Sequence, residues 1–346
     1  KCSNLKSPRS LLYLELSKNW FGILGCQKVF LAFFWLPTIP TSNKSINESI
    51  SIPGKKSVTF PMGKIEITRP VNSLDIILRT CMSVNMLTQS KKRMFEKSKE
   101  EYTKRTLISI TKSVKHAKNI FKDIKFKIYI IDHNSEKNQI DEMRNILNKS
   151  DINFEIQNLE FEKFSNYIRS TNEENKEVTK NQMSNMSNIH QSLLLSKEKS
   201  KDLTYFVEDD YIHEKTSLSE ILYAYERIAS LTEQELIICP TDYPYLYTQS
   251  GNTRIFLGEN KHWRQIDQTL CTFLTSKKII LKHWEVLTSM CKVEHYPFEK
   301  PLHNIYKKEL CISPVPSLAV HFTNVNSIYG LSPNVNWKKL WDENEN

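Results

Sequence analysis

Three consecutive acids, Glu208, Asp209 and Asp210, follow directly on Thr204-Tyr-Phe-Val207, a run of four mostly apolar, β-favouring residues. A short apolar run of this kind reads as a buried strand. The acids then stand at its carboxyl end, where open α/β sheets bind their ligands. Three carboxylates crowded together repel one another and destabilise the fold unless a cation neutralises them. The neutraliser that suits such oxygen donors is a hard divalent ion, Mg2+ or Mn2+, itself carrying a phosphate-bearing substrate. The competing reading is a solvated turn whose acids favour the N-terminus of the following helix.

The elements that must position these acids alternate along the chain. Leu74-Asp-Ile-Ile-Leu78 reads as a first buried strand, followed by Arg79 and Thr80. Residues 91–122 read as a long amphipathic helix, with Leu107, Ile110, Val114, Ala117 and Phe121 at helical spacing. A second strand, Phe126 to Ile131, ends in Asp132-His-Asn-Ser135, and residues 137–149 read as a second helix. A weaker strand begins at Phe154, and the polar stretch 165–181 reads as a mobile loop. A third helix, Met183 to Ser196, leads into the acidic strand. Ser217 and Glu220 have capping-box spacing for a fourth helix. A strand from Glu235 to Cys239 then leads to Pro240-Thr-Asp242. Strands alternating with helices predict a doubly wound, largely parallel α/β sheet. The later part is less regular and rich in aromatics, among them Tyr243, Tyr245, Tyr247, Trp263, Tyr296 and Tyr306. Such rings serve either as sugar platforms beside a pocket or as ordinary packing.

The 346 residues suit one large domain with additions, or two domains. A net charge of +9 would suit an anionic partner, but it is spread along the chain and accompanies a general Lys, Asn and Ile bias. No basic helix face is interleaved with aromatics, so nucleic acid is not an expected partner. Seven scattered cysteines, odd in number and without a Cys-x-x-Cys pair, point away from a disulfide framework and towards a reducing compartment. The chain opens on Lys1 rather than Met, so residues upstream are expected.

Residues 20–36 are apolar and aromatic and follow a basic stretch. Seventeen residues is the lower limit for a membrane span. Lys28 falls near the middle, where insertion costs roughly 3 kcal/mol. A buried packing segment is therefore expected, with a peripheral membrane contact as the alternative. Residues 37–70 read as an extended connection, with a short hairpin within 58–67.

From about residue 74 to 321 the order of these elements resembles the nucleotide-diphosphosugar transferase (GT-A) fold, and most of all the family 2 glycosyltransferases. The resemblance implies that Arg79 and Thr80 form a nucleotide-contacting turn and that Asp132 contacts the nucleoside, although His133 stands where the family has a second acid. It places Asn185 and Asn188 on the helix before the metal motif, and makes Glu208-Asp-Asp210 that motif. It sets Phe298-Glu-Lys-Pro-Leu-His303 at the family's catalytic acid, with Lys300 replacing one of the usual two acids, and ends at His321. The implied divisions are an N-terminal extension (1–70), a nucleotide-sugar-binding α/β half (71–240) and an acceptor-binding, catalytic half (241–346).

What the resemblance implies is a metal-dependent glycosyltransferase moving a sugar from a nucleotide-diphosphate donor to a glycan or lipid-linked acceptor, in synthesis of a cell-surface polysaccharide. A divalent ion would neutralise charge on the departing diphosphate. Asp210 is the first-choice ligand, with Asp209 and Glu208 binding directly, through water or to ribose, and His321 completing the shell. Arg79 and Arg264 would hold phosphate oxygens. Inverting transfer needs a carboxylate to take the acceptor's proton; Glu299 has the family position and Asp242, at a strand end, is its rival. The expected location is the cytoplasm or the cytoplasmic face of a membrane. Two other classes fit the same fold. A sugar nucleotidyltransferase would normally show a Gly-rich loop after the first strand, and Leu78-Arg-Thr-Cys81 has none. A non-catalytic glycan- or protein-binding module would explain the altered acids at His133 and Lys300.

Overall fold

The computed structural model describes residues 12–13, 29–33, 57–60, 63–83, 94–323 and 327–345. In chain order the first strands are β1 (Leu12–Tyr13), β2 (Val29–Phe33), β3 (Ser57–Phe60), β4 (Gly63–Glu66) and β5 (Ser73–Thr80). Then come α1 (Lys99–Ile120), β6 (Lys125–Asp132), α2 (Lys137–Asn148), β7 (Asn153–Asn158), α3 (Phe161–Ser165) and α4 (Lys180–Lys199). The acidic strand β8 (Leu203–Glu208) is followed by β9 (Tyr211–His213), α5 (Ser217–Thr232) and β10 (Leu236–Ile238). The remainder is β11 (Thr253–Leu257), β12 (His262–Gln265), β13 (Phe273–Ser276), α6 (Lys277–Lys282), α7 (Trp284–Ser289), α8 (Lys300–Tyr306), β14 (Leu310–Val315), β15 (Ala319–His321) and α9 (Trp337–Asp342).

Strand alternation explains the layers. In β5, Leu74, Ile76 and Leu78 face one side of the sheet, where Leu107, Ile110 and Val114 of α1 and Met143 and Leu147 of α2 cover them. Ile77 faces the other side with Tyr129 and Ile131 of β6, under Ile189 and Leu193 of α4 and Leu302 and Ile305 of α8. Helices thus cover both faces, as expected of a doubly wound α/β sheet.

The large sheet runs β1-β2-β11-β12-β14-β10-β13-β8-β5-β6-β7, and all but β13, β12 and β1 point the same way. The sheet is therefore mixed. β13 lies antiparallel between β8 and β10, two strands that alternation alone would set side by side. A two-stranded ribbon, β9 with β15, stands apart and pairs Tyr211 with His321.

Several expectations are corrected here. The first long helix starts at Lys99 rather than residue 91, because Ser98 caps it through a bond to the Glu101 N–H. Ser217 and Glu220 form no capping box. Thr216 is the N-cap of α5, Ser217 donates to the Leu318 carbonyl, and the Glu220 carboxylate accepts from Asn260. The stretch 165–181 is held in place by its own turns and by backbone bonds to Lys292 and Glu294. Of residues 20–36, only β2 is described, a strand pairing parallel with β11; the rest of that segment lies outside the described residues. No helix among the described residues is long and apolar enough to cross a membrane.

Ile76 is wholly buried in β5 between the two helical layers. Ile76→Ala is expected to destabilise the fold by about 3 kcal/mol, from lost burial and the cavity left behind. Urea unfolding checks this as a lowered midpoint at unchanged slope.

Candidate functional site

The register of the parallel strands assembles the site at their carboxyl ends. Arg79 of β5 stands opposite Glu208 of β8, and Thr80 opposite Asp132 of β6. Alternation then sorts the three acids. Phe206 and Glu208 face the α4 side, whereas Val207 and Asp209 face the α1 side. Asp210 sits in the turn between β8 and β9.

Each acid meets a different cation. The Arg79 guanidinium lies 3.2 Å from Glu208 and donates to Asn185 at 2.9 Å. Glu208 also accepts from the Thr272 hydroxyl at 3.3 Å. Burial nonetheless raises its pKa against the pull of Arg79. Asp209 lies 3.3 Å from the Lys99 ammonium and accepts from Thr103 at 3.0 Å and from the Cys81 N–H at 3.3 Å. Its carboxylate is a buried anchor between the acidic turn and α1.

Asp210 has a third set of partners. His321 Nε2 lies 3.2 Å from Asp210 Oδ2, the Thr323 hydroxyl donates to the same oxygen, and the Phe322 N–H donates to the Asp210 carbonyl at 3.0 Å. Burial pushes the Asp210 pKa up, but the His321 charge and these hydrogen bonds outweigh it and hold it at about 2. Burial disfavours the imidazolium in turn, and Asp210 overrides that and raises the His321 pKa. His321 Nδ1 faces the Tyr329 carbonyl at 3.2 Å, and the Tyr211 ring stacks on the imidazole at 4.7 Å. Those contacts aim Nε2 at Asp210. The other Asp210 oxygen, Oδ1, is buried with no partner.

An unpaired buried carboxylate oxygen beside an oriented imidazole fits a divalent cation. Mg2+ characteristically takes one or two protein carboxylates and completes its shell with substrate phosphates and water. Asp210 and His321 are the donors that fit. Asp209 takes Lys99, Thr103 and the Cys81 N–H on a single oxygen, Oδ2. No three His, Cys, Asp or Glu side chains among the described residues form a ready-made metal cage.

Glu299 precedes α8 as its N-cap. Burial raises its pKa, and repulsion from Glu208 adds to the rise, taking it to about 7. A carboxylate so placed is poised as a proton acceptor near neutral pH. Cys271 and Tyr329 lie in the field of the same glutamate.

Other expected site residues are engaged elsewhere. Asp242 is fully buried; Arg264 donates to one oxygen and Tyr247 to the other. That pairing engages both oxygens of Asp242 and one end of the Arg264 guanidinium, whose Nε is buried without a partner. Asp132 accepts from Thr80 and Ser135 at 2.6 Å each and from the Ser135 N–H at 3.0 Å. Asn188 donates to the Ile131 carbonyl at 2.9 Å. Thr80, Asp132 and Asn188 thus lock the strand ends together instead of facing a ligand. Four of the six singled-out aromatics, Tyr243, Tyr245, Trp263 and Tyr306, are core, and only Tyr247 and Tyr296 are exposed.

Lys99, Thr272 and Thr323 were missed by sequence reasoning. Thr323 had a signal, since it lies two residues beyond His321 on an extended segment and so shares its face. Lys99 and Thr272 had none, because each meets its acid only through the fold.

No protein-family model and no curated protein matches the sequence. Solved structures similar to this chain include the UTP-bound UGPase of Acinetobacter baumannii, at 9% identity over 80% of this chain and 92% of that one, with a TM-score of 0.39. Residues 1–349 of S. aureus TarS match at 14% identity over 61% of this chain and 48% of that one, with a TM-score of 0.34. Apo mouse xyloside xylosyltransferase 1 matches at 7% identity over 68% and 76%, with a TM-score of 0.37. At such scores the likeness is no basis for assigning an activity, and the residues of the site must supply it.

Lys99→Met would leave Asp209 buried without its cation. We expect a loss of roughly 3 kcal/mol in chemical denaturation, the cost of stranding one member of a buried ion pair. Most of that loss should be recovered in the Lys99→Met/Asp209→Asn double variant.

Proposed function

We propose that this chain is a glycosyltransferase that moves a sugar from a nucleoside-diphosphate donor to a hydroxyl acceptor. The observation that carries this reading is the pairing, in one acidic cluster, of an unpartnered buried Asp210 oxygen with a glutamate whose pKa is raised to about 7. The cluster lies beyond the carboxyl ends of parallel strands, where such sheets take nucleotides.

In this reading Asp210 and His321 hold a divalent cation, Mn2+ or Mg2+, which when bound would offset the charge on the donor's diphosphate. His321 must give up its proton to serve, so metal binding is expected to release a proton and to weaken as the pH falls. Arg79, held by Asn185 and Glu208, presents its guanidinium at the end of β5 towards the phosphates. Glu299 accepts the proton of the acceptor hydroxyl as that oxygen attacks the anomeric carbon. One displacement with one base inverts the anomeric centre. Glu208 keeps Glu299 basic by repulsion and keeps Arg79 oriented. The acceptor we favour is a glycan or lipid-linked saccharide of a cell-surface polysaccharide, handled in the cytoplasm or at its membrane face.

A sugar nucleotidyltransferase is the alternative with the same site. The turn after β5, Arg79-Thr-Cys-Met-Ser83, has no glycine to bring backbone amides close to a triphosphate. That favours transfer over nucleotidyl chemistry, and a sugar 1-phosphate plus nucleoside triphosphate assay separates the two.

Calorimetric titration with UDP and GDP, with and without Mn2+, is the direct test. One nucleotide should bind only with metal, and Asp210→Ala should abolish that binding. Absence of nucleotide binding under every condition would refute the reading and favour a non-catalytic module.

With donor and acceptor in hand, Glu299→Gln should lower kcat by roughly 10^2- to 10^4-fold, the usual worth of a general base. The base works deprotonated, so wild-type kcat should rise with pH through a limb lying above the ordinary glutamate range. That limb should vanish in the variant.

A further inference from the structure

Glu299 is bracketed by Phe298 and Lys300, and both neighbours are held by the stretch 168–178. Phe298 packs against Ile168, Val178 and Met186, a small apolar cluster of its own. Glu173 receives the rest of the segment. Its Oε1 accepts from the Tyr296 N–H at 2.8 Å and from Lys300 Nζ at 3.1 Å. Its Oε2 accepts from Lys300 Nζ at 3.0 Å and lies 3.2 Å from His295 Nδ1. Two backbone bonds align the strips: Arg169 N–H to the Lys292 carbonyl at 2.8 Å, and Glu173 N–H to the Glu294 carbonyl at 3.1 Å.

The stretch is itself built to hold a shape. Thr171 and Glu177 form a β-bridge, Val178 donates to the Ser170 carbonyl, and Asn172 Oδ1 takes the N–H groups of Glu174 and Lys176. One carboxylate therefore meets three successive anchors, His295, Tyr296 and Lys300, on either side of a base that must sit within a few tenths of an ångström of its target. The α8 helix is only seven residues long and cannot fix its own N-cap.

We propose that Glu173 is a positioning residue for catalysis, and that residues 168–178 are a brace setting the Glu299 carboxylate against the acceptor hydroxyl. The inference rests on the glycosyltransferase reading and on Glu299 as its base. The Glu173 carboxylate meets His295, Tyr296 and Lys300, none of them an acid of the site. Its loss should therefore act on turnover and leave nucleotide affinity alone.

The test compares Glu173→Ala and Glu173→Gln with wild type in three measurements: kcat, metal-dependent nucleotide affinity, and amide hydrogen exchange over residues 294–303. Glu173→Ala should lower kcat at least tenfold, change nucleotide affinity less than twofold and speed exchange across 294–303. Glu173→Gln keeps an acceptor for the Tyr296 N–H and should recover most of both losses. Unchanged kcat in Glu173→Ala, an equal loss of nucleotide affinity, or no recovery with Gln would each overturn the proposal. If the wild-type protein neither binds nucleotide nor transfers sugar, it is the glycosyltransferase reading that fails. Exchange over 294–303 then still decides the brace, and unchanged exchange in Glu173→Ala overturns it.

Discussion

Three adjacent acids at the end of one strand can be buried only if each finds its own positive charge, and the site is arranged around that requirement. Glu208 takes Arg79 from the neighbouring strand, Asp209 takes Lys99 from the helix across the sheet, and Asp210 takes His321 from the β9–β15 ribbon. Three separate elements are thereby tied to one turn. The parallel register of β5 on β8 follows this constraint, because a slip of one residue would send Arg79 to the wrong face. The ribbon follows it too, since pairing Tyr211 with His321 is what carries the imidazole to Asp210.

Neutralisation is uneven. Asp209 takes an ammonium, a hydroxyl and a backbone N–H, all on Oδ2, and so holds the turn still. Asp210 also keeps its side-chain partners on Oδ2, and its Oδ1 is buried without one. Burial raises the pKa of Glu299, and repulsion from Glu208 adds to the rise against the pull of His321 and Arg79.

The aromatic second half supplies the surroundings. The Tyr211 hydroxyl meets that of Tyr243 at 2.6 Å, Tyr243 and Tyr245 pack against Tyr329, and the Tyr211 ring carries His321. Tyr211, Tyr243 and Tyr245 are buried. Low polarity there strengthens every charge interaction above it. The tyrosines that looked like sugar platforms act mainly as this floor.

Much of the frame was legible in the chain itself. Short apolar runs located β5, β6, β8 and β10, and helical patterning located α1, α2, α4 and α5, because burial is a local demand that each segment must satisfy within its own residues. The acidic turn at the end of β8 was legible for the same reason. Alternation along β8 even held the clue that Asp209 points away from Glu208. The antiparallel insertion of β13, the bond between Asp210 and His321 across 111 residues, the contact of Asp209 with Thr103 across 106, and the docking of 168–178 on the Glu299 segment were settled only by tertiary structure. So were the partners of Thr80, Asp132, Asn188, Asp242 and Arg264, residues whose types suggested ligands. A polar side chain carries its chemistry in the sequence, but whether that chemistry is left free depends on which partner the fold brings within 3 Å, and no local pattern encodes that.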